Sequence, residues 1–314
     1  MSFDDLRAFL RLLASEGQLS EPEASPAAVG DADAASPAEA ERPAALFGPP
    51  APSVGRLVVG VHGSPGRIAR ALGLRPSLSL DDAVAVAVER LGEAVQADYV
   101  APSAAACKQV VLRGAAADLT RFPIRPAADT ASPLVLDKAL LVTRDPATGA
   151  VGLSLAELAL LEARLLAVRP RLAGAFERHV AAARPLGAPL EVAVLLGNDP
   201  VLPLAAASHV PPADDAYLYA SALRGQPLLI TDCESTELEI PARTEIVLEG
   251  LAETADAPVR LAIHTITHRR DPIYEALRGG WAGAEAELLR RWAATIRARD
   301  PEATARAALG EGLP

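Results

Sequence analysis

The chain predicts an α+β fold: a small N-terminal α/β domain, then a strand-rich body, then C-terminal helices. Three observations carry this. An apolar run, Gly55–Gly63, is followed by two helical patterns before residue 107. From Lys108 onward six apolar segments are bounded by Gly, Pro or Asp turns, the punctuation of successive strands. Near the end Leu288, Leu289, Trp292 and Ile296 recur at helical spacing. The expected divisions are 1–107, 108–278 and 279–314, with residues 20–45 forming a flexible stretch in the first.

Residues 2–16 read as an amphipathic helix. Phe3, Leu6, Leu10 and Leu13 line one face, Ser2 is the expected N-cap with Asp5 three residues on, and Gly17 sits where a C-cap belongs. Residues 20–45 are rich in Ala, Pro, Asp, Glu and Ser, with little apolar bulk to offset ordering entropy. "GRLVVGVHG" (55–63) is a buried-strand pattern, followed by helices over "GRIARALGL" and "DDAVAVAVERLG", the latter opened by Asp81 and Asp82 against the helix dipole. The strands expected next are "KQVVLRG", "DKALLVTRD", "LEVAVLLG", "QPLLITDCE", "TEIVLEG" and "VRLAIHTITHR". Asp199 and Pro200 suit the N-cap and first position of a helix entering "LPLAAASHV". Segment 153–168, "LSLAELALLEARLLAV", favours helix by propensity. Residues 283–309 read as one or two helices, with Arg290, Arg291, Arg297 and Arg299 off the apolar stripe and Asp300-Pro301 as a break.

Composition narrows the function. The 314 residues are 50% hydrophobic and 22% charged, which is globular material, and the formal charge of −10 with 4% aromatics excludes a phosphate-binding, base-stacking surface. Only Lys108 and Lys138 are lysines. No apolar run reaches the roughly 20 residues of a bilayer span, the opening residues lack a signal-peptide pattern, and two cysteines, Cys107 and Cys233, fit a reducing compartment. A cytoplasmic protein with neither nucleic-acid nor membrane partners is expected. His264 and His268 lie on a strand pattern, where four residues span about 13 Å, too far to share a metal. His62 stands at a strand end, and His179 and His209 have no partner motif.

Eight phrases, in order, resemble the UbiD family of prenylated-flavin decarboxylases: "MSFDDLRAFLRLLASEGQL", "GSPGRIARALGL", "DLTRFPI", "VTRDPATG", "GNDP", "ALRGQP", "CESTELEIPARTEIVLEG" and "ITHRRDPIY". The resemblance covers nearly the whole chain. It implies that the strand-rich body is a split β-barrel of flavin-reductase type. It also implies where the chemistry would lie, and there this chain departs. In the family an Asn in the strand after the Arg-Asp-Pro turn ligates a divalent metal and an Arg contacts the flavin. The matching residues are Ala150 and Leu155. Arg169 approximates the family's His ligand, and Glu249 alone matches a ligand position, a weak metal site by itself. The family's loop with its acid–base Glu is replaced by "LAETADAPV" after Gly250, where Glu253 and Asp256 are ordinary loop acids. The family's C-terminal dimerisation domain is expected to be absent, the sequence ending at Pro314.

The expected function is therefore a non-catalytic accessory subunit in a hetero-oligomer with a catalytic UbiD-type subunit. This chain would hold no cofactor, while the partner would bring prenylated FMN, a divalent metal and the acid–base residues for decarboxylating an aromatic or α,β-unsaturated acid. The expected docking element is the last helix, with Trp292 and Leu288 as apolar anchor and Arg291 at the rim. Two other readings stay open: a divergent stand-alone decarboxylase using Glu249 and Glu157, and a flavin carrier.

Overall fold

A computed structural model describes residues 3–23, 42–49, 52–93, 95–126, 133–172, 174–208, 215–255 and 257–299. Helix α1 (Leu6–Ser15) is capped by Asp5, whose side chain accepts from the Ala8 amide; Ser2, the expected cap, lies outside the described residues. Most of the expected flexible stretch, 24–41, also lies outside them. Strands β1 (Leu19–Ser20), β2 (Ala44–Phe47) and β3 (Arg56–Val59) form a small sheet completed by β15 (Ile273–Ala276), parallel to β3. The end of the 108–278 stretch thus adds a strand to the N-terminal sheet, so the two parts share one layer. Helices α2 (Pro65–Ala71) and α3 (Leu80–Leu91) follow β3, and α3 opens on a Ser79–Asp82 capping box.

The body is a closed six-stranded antiparallel barrel. Strands β7 (Leu134–Arg144), β8 (Val151–Glu162), β9 (Leu165–Pro170), β14 (Arg260–His268), β13 (Ile246–Glu253) and β10 (Leu190–Leu196) pair in that order, and β10 closes onto β7. Strands β5 (Val110–Arg113) and β6 (Arg125–Pro126) append to β14 and β7. A third sheet joins β4 (Asp98–Tyr99), β11 (Leu229–Asp232) and β12 (Glu239–Pro241). Alternation along β7 divides its side chains between two cores: Leu136, Ala139 and Leu141 pack inside the barrel, Leu140 and Val142 against the helical layer.

Segment 153–168 is not helical but forms most of the β8–β9 hairpin. Tertiary burial overrides propensity here: nine consecutive residues of β8 are buried, with the barrel interior on one face and helices on the other. Helix α4 (Ala175–Ala183) packs Phe176, Val180 and Ala183 into the barrel-interior core, whereas α5 (Val201–Ala207) and α6 (Ala216–Arg224) belong to the helical layer outside. Asp199 caps α5 as expected, accepting from the Val201 amide, while Asp300-Pro301 lies outside the described residues.

The last helix, α7 (Ala284–Arg299), corrects the expected docking element. Trp292 is 0% exposed and donates from Nε1 to the Leu204 carbonyl at 3.0 Å, and Leu288 is also buried. Both side chains belong to the chain's own core because α7 packs on α3 and α5. Of the three residues named for the interface, only Arg291 is exposed. Among the described residues, no helix is long and apolar enough to cross a membrane.

Candidate functional site

Two β-bulges aim polar side chains away from the regular pleat. One lies on β14 opposite the Glu249/Gly250 step of β13, where Glu249 pairs with Thr265 and Gly250 with Ile263, leaving exposed His264 as the extra residue. Gly250 is required there: a Cβ would meet the Ala262 carbonyl oxygen at 2.0 Å. The other lies on β7, where Asp137 and Lys138 stand between the paired residues Leu136 and Ala139.

Glu249 is fully buried and its carboxylate is already occupied. It accepts from the Glu234 amide at 2.8 Å, the Ser235 amide at 2.6 Å and the Ser235 hydroxyl at 2.9 Å, and Lys108 Nζ stands 3.6 Å away. It therefore caps the loop after β11. Leu155 is 1% exposed and packs with the helical-layer core, and Ala150 lies in the turn before β8. Arg169 pairs across the hairpin with Glu157 at 3.2 Å, and Arg171 takes the other Glu157 oxygen at 2.7 Å. The positions the resemblance marks for a divalent metal and a flavin contact thus hold a self-satisfied carboxylate, an ion pair and an apolar side chain. These residues do not fit the metal or the cofactor. Glu253 is the exposed last residue of β13, paired with Arg260, rather than a loop acid, and Asp256 lies outside the described residues. Burial raises the Cys107 thiol to about 12 and pushes Cys233 well above its ordinary value, so neither is an activated nucleophile.

The strongest constellation lies elsewhere, at the seam of barrel, N-terminal sheet and α7. Lys138 Nζ sits 2.9 Å from His62 Nδ1, 2.8 Å from Glu285 Oε1 and 2.7 Å from Glu275 Oε1, all four side chains buried. His62 Nε2 lies 2.7 Å from the Pro200 carbonyl, which can only accept, so the proton resides on Nε2 and Nδ1 accepts from Lys138. Glu285 also accepts from the Gly60, His62 and Arg278 amides. The lysine ammonium occupies the centre of a His–Glu–Glu set whose ligand atoms lie within 4.8 Å of one another, the place a cation would take. Beside it Asp137 pairs with Arg125 at 3.1 Å and accepts from the Leu277 amide, and the Asp137 carbonyl accepts from Trp281 Nε1 at 2.6 Å. Sequence reasoning weighed His62 alone and missed Lys138, Glu275 and Glu285. The available signal was two adjacent charges, Asp137 and Lys138, inside an otherwise apolar strand.

This network makes stability pH-dependent. Burial, reinforced by Lys138, lowers His62 to about 3. Burial alone would raise Glu285, but Lys138 and its other partners bring it to about 2. Both folded values lie below the unfolded ones, so both contributions are complete above pH ~6.5 and are lost as pH falls, His62 from ~6.5 and Glu285 from ~4.5. Asp137 acts oppositely: burial raises it to about 6, so it favours the fold as pH drops below that value. The melting temperature is expected to fall from pH 7 to 4, with His62→Asn flattening the upper part of that slope. Thermal melts across pH check this, and equal slopes in both proteins would refute it. His179, buried against Thr143 and lowered by burial to about 4, leaves a residual slope of the same sign.

His268 donates from Nδ1 to the Arg269 carbonyl at 2.8 Å and meets Phe122 edge-on, a structural role, while His209 lies outside the described residues.

The architecture has clear counterparts. The evolved dimeric form of the UbiD-class enzyme HmfF from Pelotomaculum thermopropionicum, solved with prFMN, superposes with a TM-score of 0.81 at 23% identity, over 95% of this chain and 74% of that one. The vanillic acid decarboxylase of Sedimentibacter hydroxybenzoicus, ShVdcCD, in its closed form gives 0.80 at 26% identity, over 92% and 67%. The apo 3,4-dihydroxybenzoic acid decarboxylase of Enterobacter cloacae gives 0.79 at 23%, over 96% and 70%. The family model "UbiD: 3-octaprenyl-4-hydroxybenzoate carboxy-lyase Rift-related domain" matches residues 98–260, more than half of the sequence and five of the six barrel strands. With the fold and the matched residues in agreement, this chain belongs to the UbiD family.

Proposed function

We propose that this chain is a non-catalytic accessory subunit of a UbiD-type decarboxylase, stabilising or completing a catalytic homologue that acts on an aromatic or α,β-unsaturated acid. The observation that carries the reading is the internal engagement of Glu249, the sole residue matching a family metal-ligand position, by the Glu234 and Ser235 amides and the Ser235 hydroxyl, with Lys108 3.6 Å away. A fully buried carboxylate that three donors from its own chain already hold, with an ammonium beside it, is a poor metal ligand, and a buried Leu155 offers nothing to a flavin phosphate. In this reading the partner supplies prenylated FMN, the metal and the acid–base groups.

A heteromeric assembly has precedent in the family, since ShVdcCD is a two-component decarboxylase and one of its structures carries a truncated ShVdcD. Two edge strands of this chain suit docking. Tyr99 on β4 is 53% exposed and Val111 on β5 is 37% exposed, and each strand pairs on one side only among the described residues.

Co-expression with a catalytic homologue in a host that makes prenylated FMN tests the proposal. The chain alone is expected to purify without flavin absorbance, and to co-elute with the homologue in a coloured complex with higher decarboxylase activity than the homologue alone. A coloured chain that decarboxylates by itself, or two species that never co-elute, would overturn it.

A further inference from the structure

A second site, independent of the reading above, lies at the other end of the N-terminal sheet, on the face that also carries Glu275, two residues along β15 from Ile273. Helix α1 presents Arg7, Leu10, Arg11 and Ala14, successive positions of one helical face, to a pocket of about 310 Å³. Its floor is apolar: Leu10 from α1, Leu19 from β1, Leu46 from β2 and Ile273 from β15. The volume falls at the lower end of the range for small-molecule sites.

The rim is charged in a particular way. Arg7 is committed, holding Glu245 at 2.7 Å and the carbonyls of Arg270 and Asp271 at 2.9 and 3.0 Å, so it forms a fixed wall. Arg11 and Arg56 also line the pocket, and among the described residues neither guanidinium has a hydrogen-bond or ion-pair partner. Glu21 is the remaining charged residue of the rim and is likewise unpaired among the described residues. Two uncommitted guanidinium groups against one carboxylate leave a net single positive charge over an apolar floor. This is an unusual local sign on a chain of formal charge −10.

We propose that this pocket binds a small monocarboxylate with an apolar body. Arg11 and Arg56 would take the carboxylate through charge-assisted hydrogen bonds, which guanidinium geometry favours. The apolar body would lie against Leu19 and over the buried floor of Leu10, Leu46 and Ile273, and Glu21 would disfavour a second negative charge. The pocket offers no aromatic side chain for stacking, so a nucleotide base gains little there.

Calorimetric titration of the purified chain, in its partner complex if co-purification requires one, tests this with phenylacetate as probe and inorganic phosphate as the bare-anion control. Saturable phenylacetate binding is expected, weakened about tenfold or more by Arg11→Ala and by Arg56→Ala, and abolished by Ala14→Trp, which fills the pocket from an exposed helical position. Phosphate is expected not to compete. Absence of phenylacetate binding up to about 10 mM would overturn the proposal. So would binding unchanged in both arginine variants, or equal competition by phosphate, which would reduce the pocket to a surface charge effect.

Discussion

Lys138→Met is expected to destabilise the fold by about 3–5 kcal/mol, the range for removing one partner from a buried ionic cluster. Methionine keeps the length and apolar stem, so the loss isolates the ammonium. Without it, Glu275 and Glu285 face each other across His62 with their shared counter-charge gone. The pull on Glu275 shows the stakes: burial drives its carboxyl up, and the Lys138 ammonium is the largest opposing influence. Equilibrium urea unfolding of the variant and the parent gives the difference directly, and a change below about 1 kcal/mol would mean the cluster is solvated or neutral in solution. Lys138→Met combined with Glu275→Gln is expected to lose less than the sum of the two single changes, because one buried carboxylate, Glu285, rather than two then lacks the shared counter-charge. Since His62 Nδ1 and two carboxylates form a zinc-compatible set, Zn²⁺ is expected to raise the melting temperature of Lys138→Ala but not of the parent.

Trp292→Ala is expected to cost about 3–5 kcal/mol in the isolated chain, the range for truncating a fully buried Trp. The side chain fills the junction of α7 with α3 and α5, and its Nε1 donates to both the Leu204 carbonyl and the Ser208 hydroxyl, at 3.0 and 3.1 Å. Trp292→Phe retains much of the packing and strands those acceptors, so about 1–3 kcal/mol is expected. Arg291→Ala, on the exposed face of the same helix, is expected to stay within about 0.5 kcal/mol. The set separates two roles. A core Trp292 lowers the stability of the chain alone, whereas a partner anchor would leave the isolated chain unchanged and weaken only the complex. Chemical unfolding of the three variants in the absence of partner decides the matter.

Trp292 also shows where a sequence pattern misleads. A Leu–Leu–Trp–Ile stripe states that a helix has an apolar face, but it is silent on whether that face meets the same chain or another. The three-dimensional position of α3 and α5 answers that. Segment 153–168 is a related case. Its Leu, Ala and Glu favour helix locally, yet a strand buried on both faces needs an apolar run more than it needs β-branched residues. Glu249 was found by its place in a motif, and its burial and three hydrogen-bond donors came from the loop after β11, which no local pattern ties to β13.

By itself, the sequence determined the strand-rich body, the cap at Asp199, the acidic opening of α3 at Asp81 and Asp82, the family, and the replacement of its ligand positions by Ala150 and Leu155. These rest on short-range periodicity, on caps that reach two or three residues, and on residue identity. Tertiary structure alone decided which charges meet. His62, Lys138 and Glu285 stand 76 and 147 residues apart along the chain, and Arg7 lies 238 residues from Glu245. Barrel closure, the bulge at Asp137–Lys138 and the return of β15 to the N-terminal sheet bring them together. In that dry seam each charge must find an opposite one, and a linear pattern with a period of two or 3.6 residues carries no record of such pairings.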